Sequence, residues 1–292
     1  MKRILITGGD GFLAKSFYEK LLGDYEIISC NRLLLDLNDS TAVLAYLKMG
    51  NFDVIIHTAT YDAAPQYSLK DKNKVLENNL RMFFNIVRCD GYFGKLIYFG
   101  SGAEFNRKQW KPKMKESYFD QHVPVDQYGY SKYIMTKHAL LNSNIVNLRL
   151  FGVFGEYDDW RYRFIPNACC YAVNELSINI HRNSRVDFLY IDDLVKVVQW
   201  AIDNKPKRSV YNVCSGEVFD SIELAKKIIL ISGKDLDFYV ESEGQGEYSG
   251  DNSILLKEMI NFECTPMEKS LASLFSWYEK NKQIIDVSQF HF

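Results

Sequence analysis

Short apolar runs alternate with longer segments of helical spacing along most of the chain. Residues 2–7 form an apolar run that ends in glycines, the mark of a buried strand. Residues 11–23 then read as a helix, 25–30 as a second strand, and 39–48 as a helix capped by Asp39-Ser40-Thr41. The alternation continues with a strand at 52–57, a helix at 72–88, a strand at 95–99, a helix at 126–141 and a strand at 145–151. It persists more loosely to the end. Helices are expected at 164–175, 192–203, 221–230 and 268–280, and strands at 186–191, 210–213 and 236–240. Strands separated by helices of ten or more residues predict an α/β protein with a parallel sheet covered on both faces. The glycine-rich stretch 241–252 and the segment 156–163 read as the long connections, which in such folds lie near ligands.

The chain has 292 residues, enough for one elaborate α/β unit or two intimate lobes. Its formal net charge is only -2, which gives no reason to expect nucleic acid or an acidic membrane as partner. Six cysteines contain no CxxC and no metal-ligand spacing, so reduced thiols in a cytoplasmic protein and no metal are expected. The run after Met1-Lys2-Arg3 is too short for a signal peptide, and no stretch approaches a membrane span.

Chemistry enters at the first strand's end. In ILITGGDGFLA, Gly8, Gly9, Gly11 and Ala14 fit both GxGxxG/A and GxxGxxG/A. A strand before and a helix after are what the mechanism needs. Glycines let a pyrophosphate approach the helix start at Phe12 and Leu13, where free N–H groups and the helix dipole favour anions. The loop therefore predicts a dinucleotide site. NAD sites usually place an acid at the end of the second strand; here that end reads Cys30-Asn31-Arg32. An arginine can hold a 2′-phosphate, so Asn31 and Arg32 favour NADP(H) over NAD(H). Asp36 falls too late in the sequence to stand on that strand tip.

Three of the 19 tyrosines have lysine four residues on: Tyr128, Tyr133 and Tyr278. That spacing puts both side chains on one helix face. A nearby ammonium is expected to lower the tyrosine pKa from ~10. Context selects Tyr128 and Lys132, in the first turns of a helix after a long loop, with small Gly129 and Ser131 beside them. Ser101 ends the strand 95–99 extended by Gly100, at the sheet edge where ligands bind, and could hydrogen-bond a substrate oxygen beside Tyr128.

Taken in order, TGGDGFLA (7–14), LDLND (35–39), DVIIHTAT (53–60), NNL (78–80), YFGSG (98–102), YGYSK (128–132), RLFGVFG (149–155), FIPN (164–167), DFLYIDDL (187–194) and YNVCSG (211–216) span nearly the whole chain. On these the chain resembles an extended short-chain dehydrogenase/reductase of the nucleotide-sugar epimerase/dehydratase branch. The resemblance implies a Rossmann-like doubly wound domain for NAD(P) over 1–155, to which 187–213 returns. It implies a smaller C-terminal α/β lobe for a nucleotide-diphosphate sugar over 156–186 and 214–292. Ser101, Tyr128 and Lys132 match the family's catalytic set. Asp36 and Leu37 match its adenine contacts, Ala59 its strand tip at the cofactor phosphates, Asn79 its buried asparagine, and Leu150 its nicotinamide contact. Family members often form homodimers through the helices corresponding to 72–88 and 126–141.

Departures narrow the expectation. Dehydratases of this branch carry Asp-Glu after the serine or threonine; here stand Gly102 and Ala103. GDP-fucose synthase places a Cys two residues past the serine and a His in the later loop; here are Ala103 and no His in 156–163. Simple carbonyl reduction survives. The family's RDF arginine is Val186, so Arg161, Arg163, Arg182 and Arg185 are candidates for the substrate's phosphates, with Gly102 beside the sugar. The resulting expectation is a cytoplasmic NADPH-dependent reductase of a nucleotide-linked 4-keto-6-deoxy sugar. The alternative is an NAD-dependent 4-epimerase using the same set, and a third class is a nucleotide-binding sensor without chemistry.

Overall fold

The structure, a computed structural model, describes residues 1–62 and 68–290. In chain order its elements are β1 (Arg3–Thr7), α1 (Phe12–Leu21), β2 (Glu26–Cys30), α2 (Ser40–Gly50), β3 (Phe52–His57), α3 (Val75–Val87), β4 (Phe93–Ser101), α4 (Gln127–Ala139), β5 (Ile145–Leu150) and β6 (Gly152–Phe154). They continue as α5 (Phe164–Val173), β7 (Ile178–Ile180), β8 (Asn183–Tyr190), α6 (Ile191–Asp203), β9 (Val210–Val213), β10 (Val218–Phe219), α7 (Ser221–Ser232), β11 (Phe238–Val240), β12 (Glu243–Tyr248), α8 (Ser253–Glu258) and α9 (Met267–Lys280).

The main sheet runs β2-β1-β3-β4-β5-β9, with every neighbouring pair parallel. Its inner strands carry central runs of Ile, Leu and Val, as at residues 4–6, 54–56 and 96–97, because helices cover both faces. Cores on both faces hold them: α1 and α6 pack together on one side, α2, α3 and α4 on the other. Local chemistry sets the helix starts. The Asp39 carboxylate accepts from the N–H groups of Thr41 and Ala42 at 2.9 and 3.0 Å, and Asp126 caps α4 through the Gly129 N–H at 2.8 Å. The winding direction reverses at β1, so a crevice opens beyond the C-terminal ends of β1 and β3.

A second sheet, β10-β8-β12 with β6 also paired to β8, stands over that end of the molecule. A parallel pair, β7 and β11, lies beside α5 and α7. The hand-over between the two sheets differs from the expected boundaries. Gly152–Phe154 already pairs with β8, ahead of residue 155. Of the returning segment 187–213, α6 and β9 join the first sheet, whereas β8 belongs wholly to the second. The stretch 241–252 also differs: six of its residues form β12, parallel to β8. Its glycines hid the strand because their role is close backbone approach. A Cβ on Gly244 would stand 2.4 Å from the Asn183 carbonyl oxygen.

Candidate active site

The turn from β1 into α1 forms the floor of the crevice. Gly8 adopts φ 75, and a Cβ there would lie 2.8 Å from the Ala59 Cα. The Gly11 N–H closes the turn on the Gly8 carbonyl at 2.9 Å, and Gly9 is tied to the β2 tip through the Cys30 carbonyl at 2.8 Å. Gly11 caps α1, whose first turn carries no acid. The backbone at Gly11, Phe12 and Leu13 thus borders a cavity of about 330 Å³ that reaches Ser101, Tyr128, Lys132 and Leu150.

Lys132 is buried. Its ammonium donates to the Phe99 carbonyl at 2.8 Å and lies 5.8 Å from the centre of the Tyr128 ring. Burial pushes it down from 10.5 to about 8, against the pull of Glu104 and Asp62. Tyr128 and Ser101 line the same end of this cavity. Burial and Asp62 raise the Tyr128 pKa above 10, and Arg163, Ser101 and Arg107 only partly oppose them. The expectation that the lysine lowers the tyrosine pKa is therefore corrected: burial favours the neutral form of both groups.

The other tyrosine–lysine spacings lead elsewhere. Tyr133 and Lys137 share the Asp120 carboxylate at the surface, with Lys137 at 2.8 Å. Tyr278 is buried in the core beside Cys170. His57 ends β3, bonded through Nδ1 to the Thr7 hydroxyl at 2.9 Å, and burial holds it down at about 3. His122 is exposed and lines no described cavity.

Asp36 lies off the strand, but the 31–39 loop, which contains no strand, folds back and sets its carboxylate 3.2 Å from the Arg32 guanidinium. An acid therefore does stand near the β2 tip. Asn31 braces this loop, accepting from the N–H groups of Leu33 and Leu34 at 3.1 and 3.2 Å. The Leu37 side chain is buried in the core with residues of α2 and α3. Asn79 is committed within the protein: its oxygen accepts from the Tyr61 N–H at 2.7 Å, and its nitrogen donates to the Tyr61 carbonyl and the Ser131 hydroxyl. It shapes the strand-tip loop without lining the cavity.

The four arginines divide. Arg163 lines the first cavity near Asp158 and Tyr128. Arg161 pairs with Asp159 at 3.0 Å, in a neighbouring hollow. Arg182 and Arg185 border a separate cleft of about 750 Å³ together with Arg107, Lys108 and Trp110. Tyr248 joins that cleft to the reacting set. Its hydroxyl is 3.5 Å from Ser101 Oγ, and its ring stacks on Trp110 at 4.1 Å. Trp110 in turn donates to the Gly102 carbonyl at 3.0 Å. A Cβ on Gly102 would meet the Tyr248 ring at 2.6 Å, so Gly102 is filled space beside the serine.

Sequence reasoning missed Arg107, Trp110, Tyr248, Asp158 and Glu104. For Tyr248 the available signal was an aromatic residue in a glycine-rich connection already expected near a ligand. For Asp158 and Glu104 the signal was absent, because their burial is a property of the fold. Among the described residues no group of three or more His, Cys, Asp or Glu could hold a metal ion, and no helix is long and apolar enough to cross a membrane.

Comparison with known proteins gives the site its context. The model of the NAD dependent epimerase/dehydratase family matches residues 4–214. An Escherichia coli dTDP-4-dehydro-6-deoxyglucose reductase is 28% identical, the match covering 79% of this chain and 81% of the relative. A Streptomyces dTDP-4-dehydro-6-deoxy-D-allose reductase is 23% identical over 97% of this chain and 98% of its own length. Among solved structures, a GDP-L-fucose synthetase from Naegleria fowleri bound to NADP superposes with TM-score 0.84 at 19% identity, covering 97% of this chain and 94% of the other.

Proposed function

Because the chain belongs to the NAD-dependent epimerase/dehydratase family, we propose that it reduces the C4 ketone of a nucleotide-activated 4-keto-6-deoxy sugar with NADPH. The observation that carries this reading is the convergence of Ser101, Tyr128 and Lys132 on the end of the cavity that begins at the glycine turn. The reductase names of two relatives support it.

The turn fits a dinucleotide: Gly8, at φ 75 and close against the Ala59 backbone, makes the tight turn, and the start of α1, with no acid in its first turn, suits a pyrophosphate. Gly8, Gly11, Phe12 and Leu13 would hold the phosphates, Arg32 a 2′-phosphate, and Tyr128, Lys132 and Leu150 the nicotinamide end. The bound dihydronicotinamide supplies a hydride. Tyr128 donates its proton to the C4 oxygen, and its raised pKa suits a group that must keep that proton until negative charge develops on the oxygen. Ser101 donates to the same oxygen, and Lys132 holds the ribose. The lobe built around the second sheet takes the sugar nucleotide, whose diphosphate faces Arg107, Arg182 and Arg185 across the second cleft. Gly102 and Ala103, both buried, offer no carboxyl group for elimination of water.

One observation favours a second reading. The Asp36 carboxylate beside Arg32 could receive a ribose 2′-OH, as NAD sites require, and a 4-epimerase would keep NAD bound. The test is consumption of NADPH, with NADH in parallel, on GDP-, dTDP-, CDP- and UDP-linked 4-keto-6-deoxy sugars made in place by a dehydratase. Rapid oxidation with one of them supports the reductase. No oxidation by folded, cofactor-binding protein, together with NAD retained through purification, would move the assignment to the epimerase.

A further inference from the structure

A carboxylate with no exposed surface stands behind the reacting set. Glu104, three residues after Ser101, is wholly buried, and so is its partner Arg149. Both carboxylate oxygens are used. Oε1 accepts from the Ser101 N–H at 2.9 Å and from Asn147 Nδ2 at 3.5 Å. Oε2 accepts from the Thr136 hydroxyl at 2.9 Å and from Arg149 Nε at 2.8 Å. The Ser101 hydroxyl completes a reciprocal cap by accepting from the Ala103 N–H at 3.2 Å. Thr136 continues the face of α4 that carries Tyr128 and Lys132, since residues four apart lie one above another. One carboxylate thus bonds both the strand tip that bears Ser101 and the helix face that bears the other two groups.

The surroundings leave it no freedom. Thr136 accepts from the Tyr98 hydroxyl at 2.8 Å and from Asn147 Nδ2 at 2.7 Å, while Asn147 Oδ1 receives the Gly100 N–H at 2.9 Å. Arg149 reaches Asn212 at 3.1 Å and lies against the Phe105 and Phe119 rings. Two apolar residues of similar volume would usually serve stability as well as a buried ion pair. What the pair adds is fixed position and a charge.

We propose that Glu104 is a positioning residue for the Ser101–Tyr128–Lys132 set, fixing the tip of β4 against α4 and supplying the negative charge that faces the Lys132 ammonium. The inference rests on the reading of those three residues as the reacting set. Lys132 also faces the Phe99 carbonyl from β4, the Tyr128 ring on its own helix, His57 on β3 and Asp62 beyond β3. His57 is uncharged near neutrality, so Glu104 and Asp62 are the two groups that oppose burial at Lys132.

The test follows Lys132 directly in the full-length protein, by the carbon-13 shift of labelled lysine Cε against pH, assigned with Lys132→Arg. It needs neither cofactor nor ketone, so failure of the reductase reading would not affect it. Glu104→Gln removes the charge. Glu104→Leu with Arg149→Met removes the pair without leaving a buried guanidinium alone, and is the variant to use if the single one does not fold. In either folded variant the Lys132 midpoint should fall by roughly one pH unit. With a ketone substrate identified, turnover of the double variant should fall at least about tenfold, because the Ser101 N–H loses its acceptor. An unchanged Lys132 midpoint, or wild-type turnover in the folded double variant, would overturn the proposal.

Discussion

At the residue scale, Tyr128 and Lys132 are both driven by burial toward their neutral forms, and the charges around them decide how far each goes. Tyr128 keeps its proton well past neutrality, as a proton donor should. We predict that Tyr128→Phe lowers turnover by about 10²–10⁴-fold while cofactor affinity changes little; wild-type turnover would place the proton elsewhere. Arg32 bears on cofactor choice. Arg32→Ala should weaken NADPH binding by roughly tenfold and leave NADH binding nearly unchanged, as titrations of cofactor fluorescence would show. Equal losses for the two would mean that no 2′-phosphate is read there. That Ser101, Tyr128 and Lys132 would meet at one cavity was legible from context, because a strand tip and a helix start after a long loop set them apart from the two other tyrosine–lysine spacings. Glu104 was not legible: a glutamate in a turn is ordinarily solvated, and only the fold shows it closed in by Thr136, Asn147 and Arg149. The pairing of Asp36 with Arg32 was not legible either, since it depends on how loop 31–39 turns back on itself.

At the scale of elements, the strand–helix alternation of the first sheet could be read almost residue by residue. Most of its strands contain a run of apolar residues, and α2 and α4 carry side-chain caps at Asp39 and Asp126. The second sheet was harder. β6, β7 and β10 have three residues or fewer, and β12 is half hidden by glycines. Such strands are held by their partners and not by their own propensity. The β1–α1 turn is the element on which cofactor binding depends most. Gly8→Ala would force a Cβ into the left-handed region and against the Ala59 backbone. We predict a stability loss of about 2 kcal/mol and at least tenfold weaker dinucleotide binding, measured by denaturant melts and cofactor titration. Unchanged binding would mean that the phosphates do not approach this turn.

At the scale of the whole molecule, two buried groups give stability opposite dependences on pH. His57 is held at about 3, below the 6.5 of an unfolded chain, so the unfolded state binds its proton first. Its contribution is complete above pH 6.5 and is lost as pH falls toward 3, amounting to about 2 kcal/mol lost by pH 5. Asp158 is raised by burial to about 7, so the folded state holds its proton and is penalised as pH rises from about 4 through 7. We predict that Asp158→Asn raises the melting temperature at pH 8 more than at pH 5, and that His57→Asn flattens the acid limb of the stability curve. Equal effects at both pH values would mean that Asp158 is not protonated in the folded protein. The fold brings these groups, the glycine turn and the Ser101–Tyr128–Lys132 set around one cavity, and the central claim is that this cavity delivers a hydride to a sugar ketone for good. The most direct measurement uses NADPH deuterated at nicotinamide C4 with the ketone the protein consumes, reading the product by mass spectrometry and proton NMR. A product with deuterium on C4 of the sugar, formed in step with NADP, is the predicted result. Interconversion of two unlabelled sugar epimers with no net oxidation of the cofactor would contradict it.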